Sequence, residues 1–281
     1  FAHLIVAFTA LGIGGLAGLL PVLVRSGKFE LPGGIGYYQV LTVHGVTLGL
    51  VLTTFFILGF QLAAVSKTSG ALTDGQRRLA WNGLVLATVG TILAATMILL
   101  NEASVLYTFY APLQAHFLYY LGLTLVVAGS WFAGWTIIWK YVQYRRENPG
   151  KPSPLMHYMA LVNTIMWQIA TLGVATSMFT QLLPWSLGLI DTVNVGVTRT
   201  LFWLFGHPLV YFWLLPAYMA WYTVIPKLLE QRVFSDALAR MSFIVFLLFS
   251  MPGGFPHQLV EPGIDPAWKF LQVILTFLVV I

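Results

Sequence analysis

From Ala2 onward the chain is a series of apolar runs, about twenty residues or longer, set apart by short loops that hold most of its charge. Only helices and closed barrels satisfy their backbone in lipid, and runs of this length are helical spans rather than barrel strands. Composition agrees: 8% of residues are charged, against roughly 25% in soluble domains, and 58% are hydrophobic. The expected fold is an all-α, polytopic transmembrane helix bundle forming one domain over residues 1–281. Eight spans are read: Ala2–Val24, Gly36–Ser66, Leu79–Leu100, Gln114–Tyr144, Leu155–Leu183, Thr198–Leu228, Ala239–Gly253 and a last one from Ala267. With no cysteine, disulfides, iron–sulfur clusters and thiolate metal sites are excluded.

Loop charges orient the bundle. The loops after spans two, four and six, with the span ends that flank them, hold Lys67, Arg77, Arg78, Lys140, Arg145, Arg146, Lys151, Lys227, Arg232 and Arg240, ten of the fourteen basic residues. By the positive-inside rule that side is cytoplasmic. The basic residues therefore reflect topology rather than nucleic-acid binding. Glu30, Glu102, Asp191, Glu261 and Asp265 lie on the outer side and read as solvated loop surface.

One span carries chemistry. GHPLVYFWLLPAYMAWY places His207 in a segment apolar enough to cross a bilayer, where an ionisable side chain is costly and by default functional. Tyr211, four residues on, shares its helix face, and Tyr218 and Tyr222 continue that face. Because this span runs from outside to inside, Tyr218 and Tyr222 lie below Tyr211, by roughly 10 Å and 17 Å along the axis. Phenols donate and accept, so with intervening waters they can relay protons inward from the cytoplasm. Pro216 removes one helical donor and is expected to kink the span and free a carbonyl for water.

His44 lies roughly 12–14 Å below the outer boundary of span two, and His207 at a similar depth in span six. His257 follows span seven in MPGGFPHQLVEPGIDP, where prolines and glycines break the helix. The three are expected to converge in the outer half, and imidazole suits haem iron and copper. His3, His116 and His157 sit near span ends and read as structural or interfacial. The sequence has no nucleotide-binding signature, and the glycines of LGIGGLAGLL read as close-packing positions.

YYQVLTVHGV, LLNEASVLYTFYAPL, LLPWSLGL, RTLFWLFGHPLVYFWLLPAYMAWYTVIPK and GFPHQLVEPGIDPAWK together resemble subunit I of the B-type haem–copper oxidases, the ba3-type cytochrome c oxidases among them. The resemblance runs across the chain. It implies a subunit of twelve or more helices, of which this chain is a piece lacking both ends. It further implies a low-spin haem of b type, a high-spin haem of a type and a copper, CuB. The activity implied is reduction of dioxygen to water with electrons from cytochrome c, or from quinol, coupled to proton translocation. The partners implied are a subunit II carrying CuA and the lipid of a prokaryotic cytoplasmic (inner) membrane. Residue by residue, His44 becomes an axial ligand of the low-spin haem, and His207 and His257 become CuB ligands. Tyr211 becomes the catalytic tyrosine, joined covalently to that histidine and supplying an electron and a proton as the O–O bond breaks. Tyr218 and Tyr222 become its proton path, and Trp203 packs near the copper.

The sequence departs from the family pattern at Pro256, where the family has a histidine ligand beside the one matched by His257. Glu261 or a water is then a possible third donor. The family's His-x-His pair, which holds the high-spin haem and the second low-spin position, falls beyond Ile281. A nitric-oxide reductase or altered-metal variant is the alternative within the same superfamily. A proton-coupled secondary transporter is the alternative outside it.

Overall fold

The structure is a computed structural model, and it describes residues 1–255 and 257–280. Its helices are α1 (Ala2–Arg25), α2 (Tyr37–Val46), α3 (Thr53–Ser69), α4 (Asp74–Leu99), α5 (Phe117–Glu147), α6 (Leu155–Ser177), α7 (Leu183–Ser186), α8 (Val195–Leu228), α9 (Asp236–Gly253) and α10 (Pro266–Val280). Among the described residues there is no strand. Single π-helical turns, Thr47–Leu52 and Met178–Leu182, join α2 to α3 and α6 to α7. Among the described residues, seven helical stretches are long and apolar enough to cross a membrane, and α10 is a shorter apolar helix.

Local chemistry sets several of the ends. Thr73 and Gln76 form a reciprocal box at the start of α4. The Thr73 amide donates to Gln76 Oε1 at 3.0 Å, and the Gln76 amide donates to Thr73 Oγ1 at 3.3 Å. Ser235 caps α9 by accepting from the Leu238 amide at 3.2 Å. Gly70, at φ +85°, ends α3 in the left-handed conformation that side chains resist.

The chain forms two compact units. The first comprises Phe1–Gly59, Trp81–Trp131 and Ala175–Arg199. Its core includes Ala7, Ala10, Val51, Phe55, Leu84 and Ala87. Four glycines bring α4 and α5 together. A Cβ on Gly122 would lie 2.6 Å from the Gly90 carbonyl oxygen, and one on Gly129 would lie 2.5 Å from that of Gly83. The partners recur every seven residues on both helices, so the backbones meet directly at two levels, as small residues allow in membranes. Gln39 ties α2 to the end of α4, its Nε2 donating at 2.9 Å to the carbonyls of both Ile98 and Leu99. Those are carbonyls that a helix end leaves without an intrahelical donor. The α1 glycines divide in two. Gly14 and Gly18 lie against Thr47 and His44, whereas Gly12 and Gly15 face open space, so only half of the close packing expected of LGIGGLAGLL is present.

The second unit comprises Phe60–Ala80, Phe132–Val174 and the chain from Thr200 onward. Trp167, fully buried, stacks on Phe212 at 4.2 Å and meets Phe205 edge-on at 5.7 Å. Helix α8 runs through Pro208, Pro216 and Pro226 as one helix. The consequence foreseen for the backbone occurs, with another partner. Pro216 has no N–H for the Phe212 carbonyl, and Asn163 Nδ2 donates to that oxygen instead, at 3.4 Å. A side-chain amide of α6 thus takes the place expected of a water. Next to it, Thr164 Oγ1 donates to Gln61 Oε1 at 3.3 Å, linking α6 to α3 by buried polar groups.

Candidate functional site

In the second unit, His207 and Tyr211 lie one turn apart on α8, their ring centres 5.2 Å apart and nearly perpendicular. His257 comes from the connection between α9 and α10. Its ring centre is 4.9 Å from that of His207, tilted by 49°. Trp203, one turn before His207, lies flat on His257, with centroids 4.2 Å apart and planes 13° apart. Gln258 adds a polar anchor, its Nε2 donating to Thr200 Oγ1 at 3.0 Å. Thr200, Trp203 and His207 follow the i, i+3, i+7 spacing of one helix face, so this face docks the connection and sets His257 beside His207.

The pair is suited to holding a metal. His207 is 7% exposed, and its Nε2 is buried without a hydrogen-bond partner. A buried polar atom left so calls for a further bond, to a metal or to the neighbouring Tyr211. Burial holds the His257 imidazole below the ordinary histidine value, against the opposing pull of its own backbone, so neutral pH leaves it uncharged and able to ligate. Among the described residues no third His, Cys, Asp or Glu side chain completes a metal-binding group with them. Glu261 is not grouped with the two histidines in this structure. Its main-chain carbonyl accepts from Lys269 Nζ at 3.0 Å. Pro256 lies outside the described residues.

Below the pair, Phe246 of α9 lies beside two of the three tyrosines of the stripe, its ring centre 5.6 Å from that of Tyr211 and 5.9 Å from that of Tyr218. Tyr218 and Tyr222 line one cavity of about 480 Å³, which extends past Ser242 to Arg232 beyond the end of α8. Tyr211 is not among the residues lining it.

His44 belongs to the first unit. Its Nδ1 lies 2.8 Å from the Gly14 carbonyl oxygen. A carbonyl only accepts, so Nδ1 carries the proton and Nε2 keeps its lone pair. A histidine oriented through one nitrogen and basic at the other has the form of a metal ligand. Gly18 makes the position possible, since a Cβ there would lie 2.5 Å from His44 Nδ1.

The remaining histidines are occupied otherwise. His157 is fully buried, with Nδ1 2.7 Å from Ser69 Oγ and its ring edge-on to Tyr141. His3 packs near Phe55 and His116 against Phe117.

A family profile described as Cytochrome C and Quinol oxidase polypeptide I matches residues 1–281. The chain belongs to this family. It is 40% identical over 285 residues to cytochrome c oxidase subunit 1 of Thermus thermophilus, covering 99% of this chain and 50% of that protein. It is 26% identical to cytochrome c oxidase subunit 1 of Bacillus subtilis, covering 92% of this chain and 47% of that one. A cryo-EM structure of a heme-copper terminal oxidase dimer superposes with a TM-score of 0.93 at 43% identity, covering 99% of this chain and 48% of that chain. The chain spans about half the length of the curated relatives it matches. As an oxidase polypeptide I it is an integral membrane protein, and the transporter reading is set aside.

Signals for several other residues of the second unit were present but faint. Gln61 and Asn163 are amides inside apolar spans, which marks them as needing partners without saying which. Gly253 and Gly254 read as helix breakers, whereas their observed role is steric.

Proposed function

We propose that this chain is part of the catalytic subunit of a terminal respiratory oxidase that reduces dioxygen to water and couples the reaction to proton translocation. The observation that carries the reading is the pair His207 and His257, ring centres 4.9 Å apart, with a buried nitrogen lacking a partner and Tyr211 one turn further along α8. The copper CuB and a high-spin haem of a type would supply electron transfer to dioxygen, and His207 and His257 would hold the copper. His44 would hold a low-spin haem of b type through Nε2, with the Gly14 carbonyl keeping its ring in that tautomer. Tyr211 would donate a proton and an electron during O–O cleavage. Tyr218 and Tyr222 would return protons along the cavity from the cytoplasmic side. Electrons would come from cytochrome c through the CuA of a subunit II, in a prokaryotic inner membrane.

A nitric-oxide reductase or altered-metal variant is favoured by one observation, the two-histidine donor set with proline at position 256. Tyr211 opposes it, because such reductases generally lack that tyrosine. The copper-to-haem ratio of the intact protein, separated from its CuA subunit, decides between the readings. One copper per two haems is expected, and haem without copper would sink the oxygen-reductase reading.

A further inference from the structure

We infer that Gly253 is a positioning residue for the His207 imidazole, and that its missing side chain keeps the ring where a metal can be shared with His257. The inference rests on the reading of His207 and His257 as metal ligands.

Gly253 is the last residue of α9. Its backbone is not in the left-handed region, so no turn requires glycine there. Alanine is a better helix former, so a glycine in an ordinary helical conformation needs another reason. Space supplies one. A Cβ at position 253 would lie 2.8 Å from His207 Nε2, 3.1 Å from Cδ2 and 3.7 Å from Cε1. It would crowd the one edge of the ring that carries the buried, unpartnered nitrogen. The other sides are already bounded, with His257 4.9 Å away and Tyr211 5.2 Å away between ring centres. A side chain at 253 would therefore move the imidazole rather than be absorbed. Metal–imidazole bonds are about 2.0 Å long and directional, so a displaced ring loses a shared metal well before the helix unfolds.

Gly254 is different in kind. Its Cβ would meet backbone, 2.7 Å from the Trp203 carbonyl oxygen and 2.8 Å from Leu204 Cα. Gly254 sets the approach of α9 to α8, and Gly253 sets the ring.

The test compares G253A and G254A with the wild-type protein purified whole from membranes. It reads copper per haem by elemental analysis and the midpoint of thermal unfolding. In G253A, copper per haem is expected to fall at least fivefold while haem content and unfolding midpoint match or exceed wild type. In G254A the midpoint is expected to drop while the folded fraction keeps its copper. G253A with full copper overturns the inference and leaves the metal reading standing. Parallel loss of copper and stability in both variants, or a G253A protein that does not fold, overturns it too, because packing alone would then explain the glycine. Wild-type protein without copper overturns the metal reading, and the inference with it.

Discussion

Replacing Tyr211 by phenylalanine removes one oxygen atom beside the His207 ring and keeps the ring that packs on Phe246. Y211F is therefore expected to stop dioxygen turnover, by a hundredfold or more on the order of general acid–base losses, while the low-spin haem spectrum stays as in wild type. Retained full turnover in an oxygen electrode would remove Tyr211 from the chemistry. The approach of His207 to Tyr211 was legible in the sequence, because a four-residue spacing fixes a shared helix face whatever surrounds it. The approach of His257 to His207 was expected from the helix breakers before it and from the family resemblance, but not from periodicity, and the contacts that fix it, the Trp203 stacking and the Gln258–Thr200 bond, left no trace in the sequence. Gly253 was less legible still, since a side chain that is absent in order to make room looks in sequence like any helix-ending glycine.

At the scale of the helix, α4 and α5 meet through glycine at two levels seven residues apart. A valine at Gly90 would press on the Gly122 carbonyl, Leu125 Cβ and the Val126 amide, all belonging to one facing stretch of α5. G90V is expected to cost roughly 1–3 kcal/mol, as overpacking of a close contact does. The check is the thermal or detergent unfolding midpoint, with G15A, which meets nothing within 4 Å, expected to be neutral. An unshifted G90V would mean that the helices separate freely. Both helices were visible as apolar runs, but their seam was hidden, since glycines carry no hydropathy signal. The π turns were hidden for a related reason. Counting at 3.6 residues per turn holds from Tyr37 to Val46 and from Thr53 to Ser69, and the wider turn between them shifts the phase. Pro216 was read correctly as a lost donor, and the sequence could not show that Asn163 bonds the carbonyl it frees.

For the molecule as a whole, the charge asymmetry gives a topology that can be checked directly. Residues 1–281 hold no cysteine, so single-cysteine variants here are read against the unsubstituted protein as control. K151C and D191C replace exposed loop residues. A membrane-impermeant maleimide applied to intact cells is expected to label D191C and spare K151C, and the reverse pattern would invert the bundle. The spans were legible in the runs themselves: among the described residues seven of the eight are helices long enough to cross a membrane, and α10 is shorter. The division into two units was not, because it follows contacts rather than composition. Each unit is assembled from three separated stretches, and the chain passes from one unit to the other after Gly59, Ala80, Trp131, Val174 and Arg199. Synthesis therefore delivers the units in alternating instalments. The unit that holds His44 has its first helices in the membrane early, yet it lacks its closing stretch until Arg199 has left the ribosome. A group bound to His44 during synthesis would therefore meet a unit still missing that closing stretch.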